Sequence, residues 1–165
     1  MEQTKQKAVY FRNFVFGVED SLVSTVGLLS GVATAGVETK TIFLTGLILI
    51  FVEAFSMGAG SFLSESSTED FIEKKEMPAR KSIPAAAIMF FSYLVSGFIP
   101  LFPYLIFRTP TAVLFSIGLS LVFLFILGLV GAEISKTRRV KSALRMALIG
   151  GLAIGAGAFL GKVVG

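Results

Sequence analysis

Five long apolar segments, each able to cross a lipid bilayer, dominate this 165-residue sequence. A spanning helix needs about 20 mostly apolar residues, because its backbone polar groups must pair within the helix where no water is present. Hydrophobic residues make up 54% of the chain and charged residues only 16%. We predict one all-α transmembrane domain over 1–165, with five helices at roughly 10–36, 41–64, 84–107, 110–132 and 143–164.

The connections between these segments are short, and the longest is a charged loop at 65–83. Pro110 falls in the first turn of the fourth segment, where its missing N–H has no helical partner to lose. Pro100 and Pro103 fall inside the third segment and remove backbone donors. We therefore predict that the third helix is kinked or broken near its end.

Lysine and arginine are distributed unequally between the two ends of the predicted bundle. With the N-terminus in the cytoplasm, twelve of the fifteen basic residues lie on the cytoplasmic side, and three lie on the other: Lys40, Arg108 and Lys162. Cytoplasmic loops of membrane proteins carry this excess, so we predict an N-in, C-out topology. The net charge of +4 then reflects topology and contacts with membrane lipids, and we expect no nucleic-acid binding.

The sequence contains no cysteine and no histidine. Their absence excludes disulfides, thiolate metal sites, a cysteine nucleophile and the commonest zinc and copper ligand. There is also no Walker motif or dinucleotide-binding glycine pattern beside a soluble domain. We expect neither an enzyme nor a bound cofactor, which leaves carboxylates, methionines and hydroxyl groups to act.

Three acidic residues, Glu19, Asp20 and Glu53, lie inside apolar segments. A central acidic residue costs about 2.5–3.5 kcal/mol on insertion scales and usually marks a pathway or a partner. The first two helices run in opposite directions, so a rise of 1.5 Å per residue places Asp20 about 9 Å deep, Met57 about 7–8 Å and Glu53 about 13–14 Å. We predict that Asp20, Glu53 and Met57 form a metal site.

Helical periodicity supports this grouping. At about 100° per residue, one face of the first helix and one of the second combine small residues with the acidic one. These faces are Gly17, Asp20, Ser24, Gly27 and Gly31, and Gly46, Glu53, Met57, Gly60 and Ser64. Glu19 falls off this face. The small residues of Gly27-xxx-Gly31-xxx-Ala35 allow close backbone approach, either in a homodimer formed through the first helix or within one chain.

The predicted site suits a divalent transition metal. Two carboxylates can neutralise one divalent cation, and a thioether adds affinity for softer metals. When the metal leaves, the carboxylates can take protons, so we predict a metal/proton antiporter for Fe²⁺ or Mn²⁺ in preference to Zn²⁺ or Cu⁺. The secondary candidates for metal ligands are Glu19, Glu65, Glu69, Glu73 and Glu76. A solvated loop face or pairing with a nearby group explains these carboxylates as well.

Three segments resemble the vacuolar iron transporter family. The run from Arg12 to Val32 resembles its first helix, Ser56-Met57-Gly58-Ala59-Gly60 resembles its second-helix signature, and Arg145–Gly161 resembles its glycine-rich fifth helix. The resemblance implies a homodimer of five-helix protomers with the first helices along the pathway. It also implies export of Fe²⁺ or Mn²⁺ from the cytoplasm in exchange for protons, with Asp20 and Met57 as pathway residues.

The chain departs from the family pattern in four places. Ser61 stands where a glutamate often follows the Gly-x-Gly stretch. Ser21 replaces a glycine after the motif aspartate. Leu49 stands where plant-type members carry a membrane glutamate, and we expect Glu53, one helical turn away, to substitute for it. The loop 65–83 is too short for their cytoplasmic metal-binding domain. We expect a short form in the cell membrane of a prokaryote rather than in a vacuolar membrane.

Two other functions fit the same residues. One membrane carboxylate can exchange protons for small organic cations, although the absence of tryptophan and the presence of only three tyrosines argue against an aromatic cation cage. A scaffold subunit whose acidic residues only orient helices is the other alternative.

Overall fold

The computed structural model describes residues 2–76 and 78–164. Its elements are α1 (Glu2–Thr34), α2 (Thr39–Glu73), a 3₁₀ turn (Ala79–Lys81), α3 (Ile83–Leu101), the short α4 (Pro103–Ile106), α5 (Thr109–Ile134) and α6 (Arg139–Val164). Five helical stretches are long and apolar enough to cross a membrane, and the third of them runs from the 3₁₀ turn through α4. The predicted all-α, five-helix architecture is confirmed.

Three helices extend beyond the predicted apolar segments. α1 begins at Glu2, α6 begins at Arg139, and α2 continues to Glu73 before Lys74 adopts a left-handed conformation with φ 56°. Apolar composition marks the part of a helix that lipid covers, whereas the hydrogen-bonded backbone continues into water. The first half of the predicted loop 65–83 is therefore the end of α2.

The third span is interrupted at Phe102, which confirms the predicted break. Pro103 starts α4, and its ring nitrogen has no proton to continue the α3 ladder. The Ser116 Oγ on α5 donates to the Pro100 carbonyl at 2.7 Å and so satisfies an acceptor beside the break. The Pro100 carbonyl at the break is therefore hydrogen-bonded inside the bundle.

α1 lies at the centre of the bundle and packs against α2, α3, α5 and α6. Its glycines Gly27 and Gly31 face Gly157 and Gly161 of α6, where an added Cβ would collide with the backbone of α1. The small-residue pattern therefore packs two helices of one chain. In this structure α6 occupies the seam.

Replacing Gly157 by leucine tests this packing. The larger side chain would press against the α1 backbone, and overpacking of this kind costs about 1–3 kcal/mol. We expect a lower midpoint of thermal unfolding in detergent. Gly155→Leu is the matched control on the same helix, because its Cβ would meet open space. Equal melting of the two variants would contradict the close α1–α6 contact.

Candidate functional site

The structure brings two of the predicted site residues together. The Asp20 carboxylate on α1 lies within electrostatic range of the Glu53 carboxylate on α2. Both residues are half-buried. Two negative groups at the same depth in an apolar bundle repel each other, and a divalent cation between them would relieve that repulsion.

A tyrosine that the sequence gave no reason to select completes this centre. Tyr93 on α3 is fully buried, its phenol forms a 2.7 Å hydrogen bond with Ser24 Oγ, and it lies within electrostatic range of both Asp20 and Glu53. Ser21 Oγ donates to the Tyr93 carbonyl at 2.7 Å. The serine in place of the family's glycine therefore ties α1 to α3 beside the carboxylate pair.

A cleft of about 920 Å³ opens between α1 and α2 on the N-terminal side of the pair. Met57 on α2 and Glu19 on α1 line it, and Met89 of α3 adds a second thioether. Glu19, which was predicted to lie off the helical face of Asp20, lies on the wall of this cleft. Glu19 is also within electrostatic range of Asp20 and of Arg145 on α6, so a positive charge lies near this wall of the cleft.

Polar contacts hold the mouth of the cleft. Arg12 forms an ion pair with Glu65 across α1 and α2. Ser61 Oγ donates to Asn13 Oδ1 at 2.8 Å, and the Asn13 amide donates to the Val9 carbonyl at 3.0 Å. Glu65 thus has a structural partner, and the mouth stays polar and open to water.

The remaining acidic candidates lie away from the pair, near the cytoplasmic end predicted for α2. Glu69 is half-buried, and Glu73 and Glu76 are exposed. Across residues 2–76 and 78–164, no group of three or more Asp, Glu, His or Cys side chains is placed to hold a metal. A metal at the Asp20–Glu53 pair would therefore complete its ligands with hydroxyl, thioether, carbonyl or water groups.

Comparison with known families identifies the group of proteins to which this chain belongs. The model of the VIT family matches residues 11–83 and 72–162, nearly the whole chain. The chain belongs to the VIT family. The two matched segments meet at 72–83, so the family pattern is interrupted at the connection between α2 and α3.

Curated VIT relatives match most of the chain at modest identity. Vacuolar iron transporter homolog 3 of Arabidopsis thaliana is 31% identical over 88% of this chain and 78% of its own length. Vacuolar iron transporter homolog 2 of the same plant is 28% identical over 97% and 87%. Their names refer to the vacuole, so they give no support to the predicted prokaryotic cell membrane.

A third relative shows how this VIT chain differs. Vacuolar iron transporter 1 of Arabidopsis thaliana is 23% identical over an alignment of 213 residues that covers 93% of this chain and 85% of the relative. The alignment is longer than the chain, so the relative carries residues that this protein lacks. The predicted short form agrees with this difference.

Single cysteines can test the cleft, because the natural sequence has none. Ser64 is exposed on the cleft wall. We expect Ser64→Cys to react with a membrane-impermeant maleimide added on the side that carries the N-terminus, and not when added on the other side. The control is Ser96→Cys, since Ser96 is only 4% exposed. Equal labelling of both cysteines, or labelling of Ser64→Cys from the opposite side only, would contradict the cleft.

Proposed function

We propose that this protein transports Fe²⁺ or Mn²⁺ out of the cytoplasm in exchange for protons. The observation that carries the proposal is the Asp20–Glu53 carboxylate pair, which lies next along α1 and α2 to two residues of the cleft wall, Glu19 and Met57. Membership of the VIT family and the names of its relatives, which are iron transporters, support the metal.

The chemistry of the cleft suits a cation that is transported through the protein rather than bound permanently. Glu19 makes the cleft attractive to cations, since Glu65 is paired with Arg12, while the thioethers of Met57 and Met89 favour a transition metal over Mg²⁺. Neither histidine nor thiolate is present to hold the ion tightly. Met57 lies one helical turn from Glu53, on the side of the cleft, so an ion that passes Met57 would next reach the carboxylate pair.

Exchange for protons follows from charge balance at the pair. A divalent ion neutralises both carboxylates, and after its release two negative charges remain in a bundle surrounded by lipid. Protonation removes that charge and lets the empty carrier return at lower electrostatic cost. The excess of lysine and arginine at the N-terminal side supports an opening of the cleft to the cytoplasm, from which the ion would enter.

Transport by purified protein in liposomes tests the proposal. Asp20→Asn and Glu53→Gln keep side-chain size but remove the charge that holds the metal. We expect Mn²⁺ and anaerobic Fe²⁺ flux to fall by about tenfold or more, which corresponds to a loss of about 1.4 kcal/mol of binding. Glu133→Gln is the control, because Glu133 is exposed and paired with Arg139 at the end of α5.

Three outcomes would reject the metal carrier. Wild-type protein could move neither ion, or Asp20→Asn could transport as the wild type does. Flux of ethidium instead of metal would favour the organic-cation exporter. Where the wild type moves neither ion, altered assembly of Glu53→Gln would favour the scaffold subunit.

We further propose that two copies assemble with the α1–α2 clefts facing each other. Ser56, Gly60 and Ser64 are exposed along this edge of α2, where lipid would leave small and polar groups poorly packed. A second copy would cover them and complete the pathway from two chains. The homodimer predicted through the first helix then uses the cleft edge of α1 rather than its glycine seam.

Disulfide trapping tests this arrangement. Gly60→Cys lies on the cleft edge, and Gly118→Cys on α5 is the matched control, since an added Cβ meets open space at both glycines. We expect mild oxidation in membranes to produce dimers of Gly60→Cys and few of Gly118→Cys. The reverse pattern, or monomers of both, would contradict the proposed interface.

A further inference from the structure

Three fully buried hydroxyl groups make no hydrogen bond of normal geometry within the described part of the chain. They are Thr25 and Ser30 on α1 and Ser120 on α5. Buried polar groups of native proteins are nearly always paired, and where protein offers no partner an ordered water molecule does so. These hydroxyls therefore mark places for water in the middle of the bundle.

A polar cavity of about 920 Å³ lies at the end of the bundle opposite the metal cleft. Tyr104 of α4 lines it and is only 4% exposed. Its phenol lies beside the Ser116 hydroxyl but makes no hydrogen bond of normal geometry to any described residue. The other polar residues of the lining are Glu38, Thr39, Lys40, Arg108 and Thr109. Water in this cavity thus approaches the buried interior at Tyr104.

The serines of α5 continue inward from that cavity. Ser116 and Ser120 are fully buried and one helical turn apart, about 6 Å along the axis. Leu124, one turn further along α5, lies near Gly150 of α6 together with Val23 of α1. Since α1 and α5 run in opposite directions, Ser120 lies at a level between Thr25 and Ser30.

The inner end of this row reaches the carboxylate pair. The Thr25 hydroxyl lies beside the Tyr93 phenol, which is hydrogen-bonded to Ser24 at 2.7 Å. The same phenol lies within electrostatic range of Asp20 and Glu53. Tyr93 is therefore the group through which the buried hydroxyls meet the proposed metal site.

We propose that protons reach the Asp20–Glu53 pair along a file of water molecules lined by Tyr104, Ser116, Ser120, Thr25 and Tyr93, separate from the cleft that the metal enters. The inference rests on the proposed function, and it assigns the metal ion and the proton to different routes through the protein. Each hydroxyl or water in the file accepts a proton on one side and releases its own on the other, so no group in the file changes its charge. For Ser116 this step requires its O–H to turn from the Pro100 carbonyl toward the file.

The composition of the route explains why a metal ion would not follow it. The buried apolar side chains Leu29 and Leu101 belong to the hydrophobic core beside this route. A divalent metal ion needs about six oxygen ligands or its hydration shell, which isolated hydroxyls cannot replace. A proton needs only a chain of hydrogen bonds, and scattered hydroxyls with water supply one.

Two transport modes in liposomes separate the proton route from the metal site. Net Mn²⁺ movement driven by a pH gradient needs proton return, whereas exchange of labelled for unlabelled Mn²⁺ across the membrane does not. We expect Ser120→Ala to lower net movement severalfold and to leave Mn²⁺ exchange unchanged. Thr25→Val, which is nearly isosteric, gives a second test from another helix.

The control variant is Ser96→Ala, because this buried serine donates to carbonyls of its own helix and lies outside the row. It should match the wild type in both modes. Wild-type net movement in both Ser120→Ala and Thr25→Val would overturn the route, and so would an equal loss of net movement and exchange in folded Thr25→Val. A wild-type protein that moves no Mn²⁺ in either mode would instead reject the proposed function.

Discussion

The close packing of α1 against α6 is the constraint on which the rest of the structure depends. Gly27 and Gly31 meet Gly157 and Gly161 so closely that no side chain fits between the helices. Helix association in lipid gains little from the hydrophobic effect, so this contact relies on dispersion and shape. With that face committed to α6, the polar face of α1 turns toward α2 and α3, where Asp20 meets Glu53.

The second constraint is that polar groups inside a membrane bundle need partners. Ser21 and Ser24 find them on Tyr93, whose carbonyl and phenol each form a 2.7 Å hydrogen bond. The carboxylates of Asp20 and Glu53 instead share their environment with each other. A bundle that pairs Ser21 and Ser24 with Tyr93 yet keeps two like charges within electrostatic range of each other loses stability at one place, which is typical of a site for a cation.

Part of this site could be predicted from the sequence because depth in a membrane follows from counting residues. A fixed rise per residue and antiparallel neighbours placed Asp20 and Glu53 at similar levels, and the structure has them within electrostatic range. The sequence did not show that Glu19 lines the cleft, since the orientation of a helix depends on its neighbours. Tyr93 and Met89 were missed for the same reason, because nothing in an isolated apolar segment shows which residue faces another helix.

By itself, the sequence determined that the protein is a five-helix membrane bundle, because apolar length and the cost of unpaired backbone groups allow no other span. It also determined the break near Pro103, since proline has no N–H to donate. Only the tertiary structure decided that the glycines of α1 serve the chain's own α6, that α2 continues to Glu73, and that Tyr93 links the buried hydroxyls to the carboxylates. These features depend on contacts between distant segments, and local periodicity contains no information about which helix becomes the neighbour.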